Sequence, residues 1–152
     1  MYFQGEVKAL LANKFLWGPI TVAFITQVLK VLVSFVRHGR LDIKRLVDMG
    51  GLPSSHSASV SALSIMVGLS EGFDSVLFGV VAFFSIIVMY DAAGVRRAAG
   101  EQAKILNLIL DELLRGHPVS DVRLKELLGH TPVEVLTGAL LGGVLGWLIW
   151  HF

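Results

Sequence analysis

Three apolar runs, at about residues 15–36, 74–91 and 131–150, constrain this chain more than any other feature, because each is long enough to cross the hydrocarbon core of a bilayer as a helix. A fourth run, about 55–70, is rich in Ser, Ala and Gly and only just long enough. Alone it is a poor insertion signal, but small residues suit a helix packed inside a bundle. The composition agrees: 54% hydrophobic, 16% charged and a mean hydropathy of +0.70 are too apolar for a soluble domain of 152 residues. The expectation is an all-α, polytopic membrane bundle of about four transmembrane helices.

Between the last two clear spans lies 96–115, where Ile105, Leu106, Ile109, Leu110, Leu113 and Leu114 recur at helical spacing among charged residues. That spacing predicts one amphipathic helix on the membrane surface or against the bundle. Pro118, after Gly116, ends it, and Ser120 or Asp121 is placed to cap a short successor. Met1-Tyr2-Phe3-Gln4-Gly5 looks like the remnant of a cleavable expression tag and is set aside. With no internal repeat and no linker, residues 6–152 form one domain.

Alternate threading of four spans puts the N-terminus and the 71–74 loop on one side of the membrane, and loops 38–54 and 92–130 on the other. The first side carries two cations, Lys8 and Lys14. The second carries nine: Arg40, Lys44, Arg45, Arg96, Arg97, Lys104, Arg115, Arg123 and Lys125. The positive-inside rule makes the second side cytoplasmic. A net charge of +1 argues against nucleic acid as a partner. The absence of cysteine excludes thiolate catalysis and Cys-based metal centres, so chemistry falls to His, Ser, Asp, Glu, Lys and Arg.

Those residues fall into three groups. Lys30 and Arg37, seven apart, share nearly one helix face. Both can snorkel to headgroups, yet Lys30 lies about two turns deeper, where a charge is expensive and usually functional. Gly50-Gly51-Leu52-Pro53-Ser54-Ser55-His56 joins a glycine turn to a helix N-terminus, whose amides and dipole suit a phosphate; an ordinary serine cap beside a bystander His56 is the plainer alternative. His130 and Glu134, at the start of the last span, are one turn apart, so the carboxylate can fix the imidazole tautomer, as a histidine nucleophile requires, or simply make a structural hydrogen bond. Gly138, Gly142 and Gly146 continue that row and admit a close neighbouring helix. Alternate threading gathers all three groups, with Asp91, Arg96 and Arg97, at one interface.

Lys30, six intervening residues and Arg37; Pro53-Ser54-Ser55-His56; and His130, three intervening residues and Glu134-Val135 with Gly138 resemble the three signature motifs of the type 2 phosphatidic acid phosphatase and vanadium haloperoxidase superfamily. GGLPSSHSA, YDAAGVRRAAGEQA and GHTPVEVLTG are similar to its small divergent bacterial and chloroplast branch, and the likeness runs from about Gln27 to Gly146. The resemblance implies a phosphatidic acid phosphatase type 2-like core and a hydrolase that needs neither metal nor cofactor. By it, His130 attacks phosphorus to give a phosphohistidine, Glu134 orients His130, and His56 protonates the leaving alkoxide and then activates water. Lys30, Arg37 and Ser54, with amides near Ser55, hold the phosphoryl oxygens.

Three departures stand out. Ser55 occupies a usual glycine position, Glu134 a usual aspartate position, and Leu124 the place of an arginine before the nucleophile. Arg97, Arg96 or Lys125 is the candidate replacement, with Arg97 favoured. Asp91 has no family role; it can pair with an arginine, and with Glu134 it offers a divalent cation few oxygen ligands. The expected activity is phosphomonoester hydrolysis on a membrane lipid phosphate, from the cytoplasmic face of a bacterial inner membrane. Phosphatidylglycerol phosphate fits that side, and phosphatidic acid and polyprenyl phosphates stay open. The alternative is a lipid-phosphate or anion binding protein or transporter without turnover. Four spans, against a usual six-helix core, leave a bundle that a homodimer would complete.

Overall fold

In the computed structural model the described residues, 2–39, 51–113 and 129–152, form six helices and no strand. They are α1 (Tyr2–Leu11), α2 (Lys14–His38), α3 (Ser55–Glu71), α4 (Val76–Ala93), α5 (Val95–Leu113) and α6 (Pro132–His151). The four expected spans are α2, α3, α4 and α6, and α5 is the expected amphipathic helix. In hydrocarbon each backbone polar group needs a partner within its own segment, which is why apolar runs of this length become helices. At the N-terminus α1 begins at Tyr2, inside the segment set aside above. It ends before Asn13, whose side chain caps α2 by accepting from the Phe15 N–H at 3.0 Å.

The least apolar span occupies the centre. At 17 residues α3 rises ~25 Å, short of the roughly 30 Å core, and it packs against α6, α2 and α4 instead of facing lipid. Small residues make this possible. Gly138, Gly142 and Gly146 are the buried residues of α6, one per turn, and they lie on the backbone of Ser54, Ala58 and Ala62. A Cβ at Gly146 would come within 2.7 Å of the Ala62 Cα. On the other flank Val22 of α2 joins Ala58 and Ala62 in a core that Leu145 and Ile149 complete. There Gly18 accommodates Met66, whose sulfur would lie 2.8 Å from a Cβ.

Only Ser85 and Ala92 of α4 are buried, and Phe83, Phe84, Ile86 and Tyr90 point outward, as befits an outer helix in lipid. Ser85 anchors it: its hydroxyl lies 2.8 Å from that of Ser64, and the Val60 carbonyl accepts within reach of both, at 3.1 and 3.0 Å. Without a hydrophobic drive between helices in lipid, such hydrogen bonds and close packing supply the association.

One end of the bundle is aromatic. The Lys14 ammonium sits 3.4 Å from the centroid of the Trp150 ring, Phe15 packs on the same ring, and the Trp17 indole donates to the Leu10 carbonyl. Trp and Lys at this level mark a membrane interface. Lys30 lies ~24 Å further along α2, close to the opposite interface.

Candidate active site

At that opposite end the start of α3, the end of α4 and the start of α6 are tied together through their backbones. The Ser54 N–H donates to the Glu134 carbonyl at 3.0 Å, and the His130 N–H donates to the Ala92 carbonyl at 2.9 Å. Gly138 faces the Ser54 backbone so closely that a Cβ would lie 3.0 Å from its nitrogen. The glycine row on α6 therefore sets the height of His130 relative to His56.

Ser54 is the N-cap of α3. Its Oγ accepts from the Ser57 N–H at 3.3 Å and from the Ser57 hydroxyl at 3.0 Å, and the residue has no exposure. As a helix cap Ser54 uses its oxygen as an acceptor, and these bonds do not engage its hydroxyl proton, the group that would meet a phosphoryl oxygen. Ser55, also buried, and His56 follow in the first turn, where the helix itself provides the amides with no acceptor. The turn before them passes through Gly51 at φ 86°, a left-handed conformation that favours glycine, and a cis Leu52–Pro53 bond.

Gly129, at φ 101°, turns the chain into His130, which is 2% exposed. The His130 Nδ1 lies 3.1 Å from Glu134 Oε2. The same oxygen accepts from the Thr131 N–H at 3.2 Å, while the Thr131 hydroxyl accepts from the Glu134 N–H at 3.3 Å, which closes a capping box. An ionised carboxylate only accepts, so with Glu134 charged the ring proton belongs on Nδ1 and the lone pair on Nε2. His56 faces this ring edge-on, with centroids 6.1 Å apart and planes at 62°.

Lys30 is buried at 4% exposure on a row of α2 that includes Gly18, Val22, Thr26 and Ser34, each one turn from the next. Its stem runs beside the turn into α3, with Cδ 3.7 Å from where a Gly51 Cβ would stand. Asp91 lies half-buried in the last turn of α4, next to the Ala92 that holds His130. Gly94 separates α4 from α5. The side chains of Arg37, Arg96 and Arg97, together with Lys125 and the segment containing Gly116, Pro118, Ser120 and Asp121, lie outside the described residues.

The structure thus brings together Lys30, the Ser54–His56 turn, His130 and Glu134. Sequence reasoning missed Thr131, although Thr-x-x-Glu before an apolar run is a capping-box signature. It also missed Ser57 and the Ala92 carbonyl, the latter a backbone group with no sequence signal.

No solved structure matches the chain. It is 41% identical over 154 residues to YuiD of Bacillus subtilis (strain 168), described as an uncharacterized membrane protein, with 94% of this chain and 98% of that one covered. The sequence profile of the Divergent PAP2 family matches residues 11–145, and the chain belongs to that family.

Proposed function

We propose that this protein is a phosphomonoesterase acting on a membrane lipid phosphate through a phosphohistidine at His130. The observation that carries the reading is the facing of His56 and His130 with Glu134 on the Nδ1 of His130, which leaves Nε2 as the nucleophile. Nε2 attacks phosphorus, the bond from phosphorus to the alkoxide oxygen breaks, and protonated His56 gives its proton to the departing alcohol. His56, now neutral, takes a proton from water as that water attacks phosphorus. The P–N bond breaks, and inorganic phosphate and free His130 result.

Lys30 and Arg37, with the Ser55 amide and the α3 dipole, stabilise the charge spread over the phosphoryl oxygens. Arg97 or Arg96, following α4, or Lys125, before Gly129, supplies the remaining cation. A site on the cation-rich side of the membrane faces the cytoplasm, in a bacterium the inner membrane's inner leaflet, where phosphatidylglycerol phosphate fits and phosphatidic acid is the other main candidate. Three spans around a short central one fit a bundle that pairs as a homodimer.

The test is phosphate release by the purified protein from lipid phosphates in mixed micelles containing a chelator. The wild-type protein is expected to turn over and His130→Ala to be inert while still extractable and folded. Retention of more than a few per cent of activity in His130→Ala removes the nucleophile assignment. Tight binding of lipid phosphate without turnover by the wild-type protein makes it a binding protein or transporter instead.

A further inference from the structure

The first polar side chain on the bilayer side of Lys30 is Gln27, one turn earlier on α2. Its neighbour Thr26 is satisfied, its hydroxyl donating to the Val22 carbonyl at 2.7 Å. Gln27 is not: its side-chain oxygen is sealed from solvent and, among the described residues, accepts no hydrogen bond. An acceptor withdrawn from water without a donor destabilises the fold, the more so where the surroundings are hydrocarbon. An unmet acceptor of this kind beside a charged site calls for a donor from a ligand. The residue as a whole is only half-buried. A terminal carboxamide torsion is broad and two-fold, so the group can turn toward an incoming donor without rebuilding the helix.

The donor follows from where the substrate must run. Lys30 reaches the turn at Gly51, at the end where the phosphoryl group is held in the function proposed above, on which this inference rests. The alcohol part of a lipid phosphate leads from there back to the bilayer, because its chains are anchored in it. Three residues of α2 rise ~4.5 Å, about the reach from a phosphoester oxygen to a hydroxyl one or two carbons further on. We propose that the Gln27 side-chain oxygen accepts a hydrogen bond from a free hydroxyl on the substrate's alcohol. The preferred substrate class is then phosphomonoesters of hydroxyl-bearing lipid headgroups. A lipid phosphate whose alcohol has no free hydroxyl leaves the acceptor unmet in the complex.

The experiment compares kcat/KM for phosphatidylglycerol phosphate, which carries such a hydroxyl, with that for phosphatidic acid, which does not, in the same mixed micelles. The wild-type protein is expected to favour the first by about 10- to 100-fold, the range one hydrogen bond to a buried group controls. In Gln27→Leu the ratio is expected to fall to near one. Gln27→Met, unbranched and of similar length, is the second variant if Leu disturbs folding. A wild-type ratio near one overturns the inference with no variant needed, as do equal losses on both lipids in the variants. A wild-type protein that hydrolyses neither lipid overturns the phosphatase reading and this inference with it, a result distinct from equal turnover of both.

Discussion

The α3–α6 contact gives a sharp test in two adjacent glycines, Gly142 and Gly143. A Cβ added at Gly142 would lie 2.5 Å from the Ala58 Cα, and the atoms it meets are backbone, which cannot rotate away. Carbon atoms in contact prefer roughly 3.5–4.0 Å, so α6 must retreat from α3 by about 1 Å. Gly138 and Gly146 share the row and lose their contacts with Ser54 and Ala62 as it does. Overpacking costs about 1–3 kcal/mol, and the rigid backbone on both sides puts this case at the upper end.

The functional effect is comparable to the loss of stability, since 100-fold in rate is about 2.7 kcal/mol. The same retreat stretches the Ser54 N–H bond to the Glu134 carbonyl from 3.0 Å beyond hydrogen-bonding range, and it carries His130 away from His56. A misplacement of ~1 Å costs on the order of 100-fold in rate. At Gly143 the nearest atom to an added Cβ is the Ile65 Cγ1 at 3.9 Å, an ordinary contact, and alanine improves helix propensity by about 1 kcal/mol. Thermal unfolding in detergent should therefore show Gly142→Ala lowered by roughly 5–10 °C and Gly143→Ala unchanged or raised. Phosphate release should fall about 100-fold in Gly142→Ala alone. If the two variants match in both measurements, the glycine row does not set the geometry of the site.

Two further outcomes are expected. Glu134→Gln keeps a residue that completes a capping box, so its melting temperature should stay close to wild type; its turnover should fall by roughly 100-fold or more, because an amide no longer fixes the tautomer of His130. Equal turnover in that variant would leave the carboxylate a purely structural cap. In this cysteine-free chain, single cysteines at Ser75 and Ser120 should label from opposite sides of intact cells, with position 120 protected from impermeant reagents. Labelling of 120 from outside would place the site away from the cytoplasm.

What the sequence made legible was what local spacing controls. The spans follow from apolar length, the start of α3 from Pro53 and Ser54, and the His130–Glu134 bond from an i, i+4 offset. The meeting of His56 with His130 is not local. It is readable only because alternate threading sends the N-termini of α3 and α6 to the same side, and even then not to within a few ångströms. The Ser54 N–H to Glu134 carbonyl and His130 N–H to Ala92 carbonyl bonds were illegible, since backbone groups are the same at every residue. Residues 2–5 carry no span signal, and α1 nonetheless runs through them, Gly5 included, to Leu11.

The helix ends also bear on how cations and phosphate share this end of the bundle in the proposed function. Every such end joins two helix N-termini, here α3 and α6, to two C-termini, here α2 and α4. The N-termini carry partial positive charge and the C-termini partial negative charge. Ser54 and the Thr131–Glu134 box each occupy part of an N-terminus, and the proposed function gives the Ser55 amide to the anion. Arg37 stands in the last turn of α2, at a negative helix end, whereas Arg96 and Arg97 fall in the first turn of α5, at a positive one. The dipole of α2 therefore favours a cation at Arg37, and that of α5 does not favour one at Arg96 or Arg97. In the proposed function a bound phosphate meets positive charge from helix amides at the α3 N-terminus and from cationic side chains. On this account, exchanging a cation for a neutral residue weakens phosphate binding without unseating the helices, whereas disturbing a cap moves the histidines themselves.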